Sequence, residues 1–144
     1  MSVQFKNILV GYDGSDWSKK ALEAAVKLAS EEPRSKINIV TAVPPVTLYY
    51  PAISSYETVS QESHAKAEEM LTEARELVGE PDLIGEVKML EGNPPQQIIR
   101  YAENNETDLI IVGSRGLGNI KELFLGSTSH NVTQKAHCPV LIVK

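Results

Sequence analysis

The sequence predicts an α/β fold: one domain over residues 1–144, with a five-stranded parallel open sheet covered by helices on both faces. Three observations carry this. Short, strongly apolar runs recur at Phe5–Tyr12, Ile37–Val43, Ile84–Leu90, Thr107–Val112 and Val140–Lys144, each too short for a helix and bounded by turn residues. Between them lie longer stretches with apolar residues at helical spacing, so strand and helix alternate and the chain ends on a strand; that alternation calls for parallel strands with helical crossovers. The bulk figures agree, since 144 residues with 42% hydrophobic and 23% charged content suit a globular domain with a proper core.

Taken in order, FKNILVGY (5–12) is mostly apolar, as a central parallel strand buried on both faces should be. Asp13-Gly14-Ser15-Asp16 punctuates it, and Ser15 or Asp16 is placed to cap the next helix. That helix carries Ala21, Leu22, Ala25, Val26, Leu28 and Ala29 as one stripe, with Pro33 just past its end. Trp17 sits in its first turn and is expected to pack against a neighbouring loop. INIVTAV (37–43) is the second strand, stopped by Pro44-Pro45. Residues 46–55, with Tyr49-Tyr50-Pro51, are too long for a tight connection and read as either a lid or an interface.

A long helix is expected over Glu57–Val78, its stripe formed by Ala67, Met70, Leu71, Ala74, Leu77 and Val78, with Gly79 and Pro81 ending it. His64 and Lys66 fall off the stripe and read as surface. IGEVKML (84–90) alternates in part, which suits a strand near a sheet edge. After Gly92-Asn93-Pro94, Pro95 suits the first position of a helix running through Ile98, Ile99 and Ala102. In the final helix Val132 and Ala136 face the sheet, and Pro139 precedes the last strand, VLIVK, a short apolar edge open to pairing with another chain.

The chemistry concentrates after the fourth strand. Leu109-Ile110-Ile111-Val112 breaks into Gly113, Gly116, Gly118 and Gly126, with Ser114, Ser127, Thr128 and Ser129 among them and Arg115 as the cation nearest the first glycines. Glycine lets backbone N–H groups approach an oxyanion, hydroxyls add donors, and the helix that follows presents the positive end of its dipole. A long loop with a Ser/Thr helix cap explains the same composition. The Walker A pattern fails, because Asn119-Ile120 stands where Lys-Ser/Thr is required, and the dinucleotide GxGxxG is broken after Gly118. Asp13 ends the first strand, where open α/β sheets hold ligands; a turn or cap role fits it equally.

Charge and composition exclude several classes. Fourteen Lys+Arg against 19 Asp+Glu give a net charge of −5, with no basic cluster to attract nucleic acid or anionic membrane. No apolar run reaches the ~20 residues of a membrane span, and no secretion signal is seen in residues 1–15. Cys138 is the only cysteine, so no intrachain disulfide forms, in keeping with a cytoplasmic location. The three histidines have no metal-ligand spacing, and no metal site is expected.

Gly113, Gly116, Gly126 and Ser127 together spell Gly-x2-Gly-x9-Gly-Ser. This resembles the nucleotide loop of the universal stress protein family in its ATP-binding branch, and the likeness runs from KNILVGYDGS to CPVLIVK. The resemblance implies strand order 3-2-1-4-5, an adenine nucleotide alpha hydrolase-like fold, and ATP or AMP as ligand, with Mg2+ as a companion ion. It implies that Gly113, Gly116, Gly126, Ser127 and Thr128 hold the phosphates with Arg115 nearby. Asp13 would lie near the ribose or the cation, and backbone groups at Ala42 would meet the adenine edge. It also implies a homodimer through Val140–Lys144. Three functions then compete: a nucleotide-binding regulatory module, a slow ATP hydrolase in the same pocket, and an interaction protein with a vestigial pocket. The missing Walker lysine and the single candidate carboxylate, Asp13, favour binding over hydrolysis. Gly126→Val is expected to abolish ATP binding while folding is retained.

Overall fold

The structure, a computed structural model, describes residues 4–43, 53–116 and 125–144, without the side chains of 53–60. Its elements are β1 (Asn7–Gly11), α1 (Asp16–Ser30), β2 (Lys36–Val43), α2 (Ile53–Val78), β3 (Ile84–Glu91), α3 (Pro94–Asn104), β4 (Leu109–Gly113), α4 (Ser127–Lys135) and β5 (Val140–Val143). All strand pairs are parallel, in the order β3-β2-β1-β4-β5. The expected architecture is therefore the observed one.

Alternation along the strands splits the core in two. Ile8 and Val10 of β1, with Ile37, Ile39, Leu109 and Ile111, pack under α1 and α2. Leu9 points the other way and joins Val40, Ile110 and Val112 beneath α3 and α4, where Ile98, Tyr101, Ala102 and Val132 are buried. Successive residues of a strand face opposite sides of the sheet. A strand covered on both sides must be apolar throughout, which is why β1 and β4 read as unbroken runs.

The helix ends are set by local chemistry. Ser15 caps α1, its hydroxyl accepting from the Ser18 amide at 3.2 Å. Pro94, rather than Pro95, opens α3, where its missing N–H costs nothing. α2 starts at Ile53 instead of Glu57, and the segment expected as a lid or interface lies mostly outside the described residues. The apolar stripe of α2 begins only at Ala67, so it carried no signal for the start.

Leu77 departs from the expectation, being half exposed while Ala67, Leu71, Ala74 and Val78 are buried. At roughly 100° per residue these four stay within about 40° of one line, whereas Leu77 swings about 80° off it. His64 is half-buried and Lys66 exposed.

Long-range polar contacts join the chain's beginning to its second half. The Asp108 carboxylate accepts from the amides of Lys6 (2.9 Å) and Asn7 (3.1 Å), and the Asp108 amide donates to Asn7 O at 2.9 Å. These bonds set the start of β4 beside the start of β1.

Leu22, 1% exposed in the α1–α2 layer, separates core from surface cleanly. Leu22→Ala is expected to lose about 2–5 kcal/mol in urea unfolding, against less than about 0.5 kcal/mol for Leu77→Ala. Equal losses would contradict the placement of α2.

Candidate functional site

A cleft of about 270 Å3 opens at the carboxyl ends of β1, β2 and β4. Among its lining residues are Asp13, Ala42, Gly113, Arg115, Gly116, Gly126, Ser127 and Thr128. All eight candidate residues thus meet in one place, although they are spread over 116 positions of the chain. The cleft forms because α1 follows β1 onto one face of the sheet, while α4 follows β4 onto the other. Neighbouring strands whose connections diverge leave a gap beyond their ends.

Register gives Ala42 its role. Val40 O accepts from Tyr12 N at 2.9 Å, toward β1, and Val43 O accepts from Gly92 N at 2.7 Å, toward β3. Backbone direction alternates along a strand, so the Ala42 N–H and C=O face the β1 side. The β1–β2 ladder stops at the Gly11–Val40 pair. Beyond it, the Ala42 donor and acceptor point into the cleft as an adjacent pair.

Asp13 has two jobs at once. Its Oδ1 accepts from the Ser15 amide at 2.9 Å, which tightens the turn into α1. Its Oδ2 faces the glycine loop, where a Cβ added to Gly116 would stand 2.8 Å from it. One oxygen of the carboxylate therefore closes the turn, and the other faces the glycine loop.

The glycines are not equivalent. A Cβ on Gly113 would sit 2.6 Å from the Trp17 Cβ and 2.7 Å from its carbonyl carbon. Close packing of β4 against the first turn of α1 requires glycine there, with the Trp17 backbone and Cβ as its neighbours. Gly126 is the N-cap of α4 with φ −69° and ψ 167°, a backbone any residue adopts. Its need for glycine is spatial: a Cβ would lie 3.3 Å from Arg115 Cα and 3.7 Å from the Gly116 amide nitrogen. A branched side chain at Gly126 is therefore opposed by crowding against this backbone and not by its own φ and ψ. Gly92, with φ 140°, turns the chain against Gln97 and does not line the cleft. Gly118 lies outside the described residues.

A glycine N-cap leaves α4 without a side-chain cap. The first helical bond runs from His130 N to Gly126 O, so the amides of Ser127, Thr128 and Ser129 have no partner within the helix. These N–H groups open onto the cleft beside the Ser127 and Thr128 hydroxyls. An uncapped helix start of this kind suits an anionic group.

The sequence did not single out several wall residues. Gly11, Tyr12, Ser18, Val40, Thr41, Pro94, Ile98 and Val112 also line the cleft, and Ser129 completes the lining beside Thr128. Ser18 and Thr41 are buried polar residues, a signal visible only once the strands are placed. The Tyr12 hydroxyl donates to Glu73 Oε1 at 2.5 Å, and Lys19 Nζ lies 3.3 Å from the same carboxylate. Burial and then the Glu73 carboxylate push the Tyr12 hydroxyl's pKa upward, while the Tyr12 and Lys19 hydrogen bonds hold Glu73 below its ordinary value. Among the described residues no cluster of three or more metal-ligand side chains forms, and Asp13 is the carboxylate beside the loop.

Fold and cleft define an open-sheet α/β protein of the class that places its ligand crevice at the switch point of its strand order. The sequence matches the model of the universal stress protein family over residues 4–144, and the chain belongs to that family. It is 36% identical to universal stress protein YxiE of Bacillus subtilis, covering 97% of this chain and 99% of that one. Among solved structures it resembles universal stress protein UspA from Lactobacillus plantarum, with a TM-score of 0.88 at 24% identity over 99% and 100% of the two chains. A universal stress protein in complex with cAMP superposes with a TM-score of 0.70 at 27% identity over 98% of each chain.

A group with a depressed folded pKa stabilises the folded state above its unfolded pKa, and that contribution disappears as pH falls through the folded value. Tyr12→Phe removes the largest cause of the Glu73 depression. Side-chain 13C titration is expected to show Glu73 moving back up toward its ordinary value in the variant. The stability gap between wild type and variant should narrow on acidification through the carboxylate range. A Glu73 titration identical in the two proteins would contradict the hydrogen bond.

Proposed function

We propose that the cleft binds an adenine nucleotide and that the protein acts as a nucleotide-responsive regulatory module, with ATP or AMP as the working ligand. The observation that carries this reading is the uncapped start of α4 opening onto a glycine-lined cleft at the strand-order reversal. The phosphates would lie against the Ser127 and Thr128 amides and hydroxyls, over Gly116 and Gly126, with Arg115 beside them. The base would meet the Ala42 backbone pair between Val40 and Ile98. Asp13 Oδ2 faces the space between these two regions, which suits sugar hydroxyls or a Mg2+ ion carried by the nucleotide. A family relative in complex with cAMP supports the adenine-nucleotide class.

Slow hydrolysis of ATP is the weaker reading. Among the described residues Asp13 is the one carboxylate lining the cleft, and a single carboxylate does not supply both the base and the charge stabilisation that hydrolysis needs. Among the described residues the cleft lining contains no Lys or His.

Calorimetry with ATP and AMP tests the site. Wild type is expected to bind at least one of them. Gly126→Val, whose branches fill the space above the Gly116 amide, is expected to lose at least about tenfold, or about 1.4 kcal/mol. Unchanged affinity in the variant, or a wild type inert to both nucleotides, would reject the assignment.

We further infer a cytoplasmic homodimer paired through β5. This edge strand has one side without a neighbour in the sheet and leaves Leu141 exposed. An open apolar edge favours pairing with a second copy. Light scattering coupled to size exclusion should give twice the 15.8 kDa chain mass at micromolar concentration. A mass of one chain would exclude the dimer.

A further inference from the structure

The sequence sets Ser129 beside Ser127 and Thr128 in one run of hydroxyl residues. The structure separates the third from the other two. The Ser129 side chain is 2% exposed, and its hydroxyl lies 3.0 Å from Ser114 O and 3.1 Å from Gly126 O. Its single proton is committed to backbone carbonyls, so Ser129 Oγ has none to give to a ligand.

The carbonyl it reaches is a junction. Ser114 O also accepts from the Gly126 amide at 2.7 Å, while the Ser114 amide donates to Val143 O at 2.8 Å. One residue just past β4 is thereby fastened to β5 through its N–H and to the first residues of α4 through its C=O. The two ends of the segment from Ser114 to Gly126 are closed onto each other by these bonds. Gly113 and Gly116, on one side of the junction, and the amides of Ser127 and Thr128, on the other, receive their relative position from it.

We propose that Ser129 is a positioning residue: its hydroxyl locks the start of α4 against the Ser114 carbonyl and so aims the Ser127 and Thr128 amides at one phosphate position. The phosphate half of this statement rests on the proposed nucleotide function; the lock itself does not. Preorganised donors bind an anion better than mobile ones because less ordering is paid for at binding. Loss of Ser129 therefore acts on phosphate affinity and spares the base, which lies across the cleft at Ala42.

The test uses the full chain as wild type, Ser129→Ala and Ser129→Thr, the last keeping a hydroxyl able to reach the same carbonyls. Calorimetry with AMP and with adenosine separates phosphate from base, and amide hydrogen exchange follows the Gly126 N–H with no ligand present. Ser129→Ala is expected to weaken AMP by about tenfold, the scale of one hydrogen bond lost, with adenosine unchanged within about twofold. Exchange at Gly126 is expected to quicken, and Ser129→Thr to restore both values. Equal weakening of AMP and adenosine in Ser129→Ala would show a general folding role and overturn the proposal, as would unchanged AMP affinity. A wild type that binds neither ligand removes the proposed function and the phosphate half with it. The exchange measurement then decides the lock alone, and an unaltered Gly126 rate overturns it.

Discussion

Two neighbouring strands at the middle of the sheet send their chains to opposite faces, and nearly everything else about the molecule depends on that divergence. β1 hands over to α1 beneath one face, while β4 hands over, through its glycine segment, to α4 beneath the other. Backbone that would have been paired in a longer ladder is left open at the rim. The Ala42 N–H and C=O look across the gap from β2, and the first amides of α4 look back from the opposite wall. Neither set could be satisfied by lengthening a strand, because β1 has already turned at Asp13. The cleft is a consequence of topology, and side chains only furnish it.

Close contact across this rim explains the glycines better than backbone freedom does. At Gly113 the crowding partner is protein, the first turn of α1. At Gly116 it is the Asp13 carboxylate, and at Gly126 it is the Arg115–Gly116 backbone. All three line the cleft, and Gly113 belongs as well to the packing of β4 against the first turn of α1. A regular spacing of glycines in the sequence therefore combines two physical demands, and only coordinates separate them.

Much of the fold was readable in the residues because periodicity is local. The unbroken apolar runs of β1 and β4, the alternating β3 and the stripe of α1 each report their own burial. The parallel arrangement follows from their alternation. What escaped is non-local. Leu77 lies about 80° off the line of Ala67, and how wide a stripe the sheet covers shows only once α2 is packed on it. Ser129 looked like its two neighbours until the Ser114 carbonyl appeared beside it, 15 positions away in the chain. Ser18 and Thr41 carry no motif at all. The eight residues chosen from spacing and resemblance do converge, since strand ends and a glycine-to-helix transition are local signals that point to one rim of the sheet. The walls contributed by α3, at Pro94 and Ile98, needed the crossover to be traced.

The Asp108 carboxylate, bonded to amides 101 and 102 positions earlier, also bears on how the molecule comes into being. β1 precedes the other strands of the sheet, yet its second neighbour, β4, is the fourth of the five in chain order. Until β4 has been made, one long edge of β1 has no partner in the sheet. Parallel pairing across so many residues carries a high loop-closure cost, which slows folding relative to helical bundles of the same length. The nascent β1–α1–β2 unit is thus the natural early assembly, and the arrival of β4 is the step that completes the centre of the sheet and creates the rim where the cleft lies.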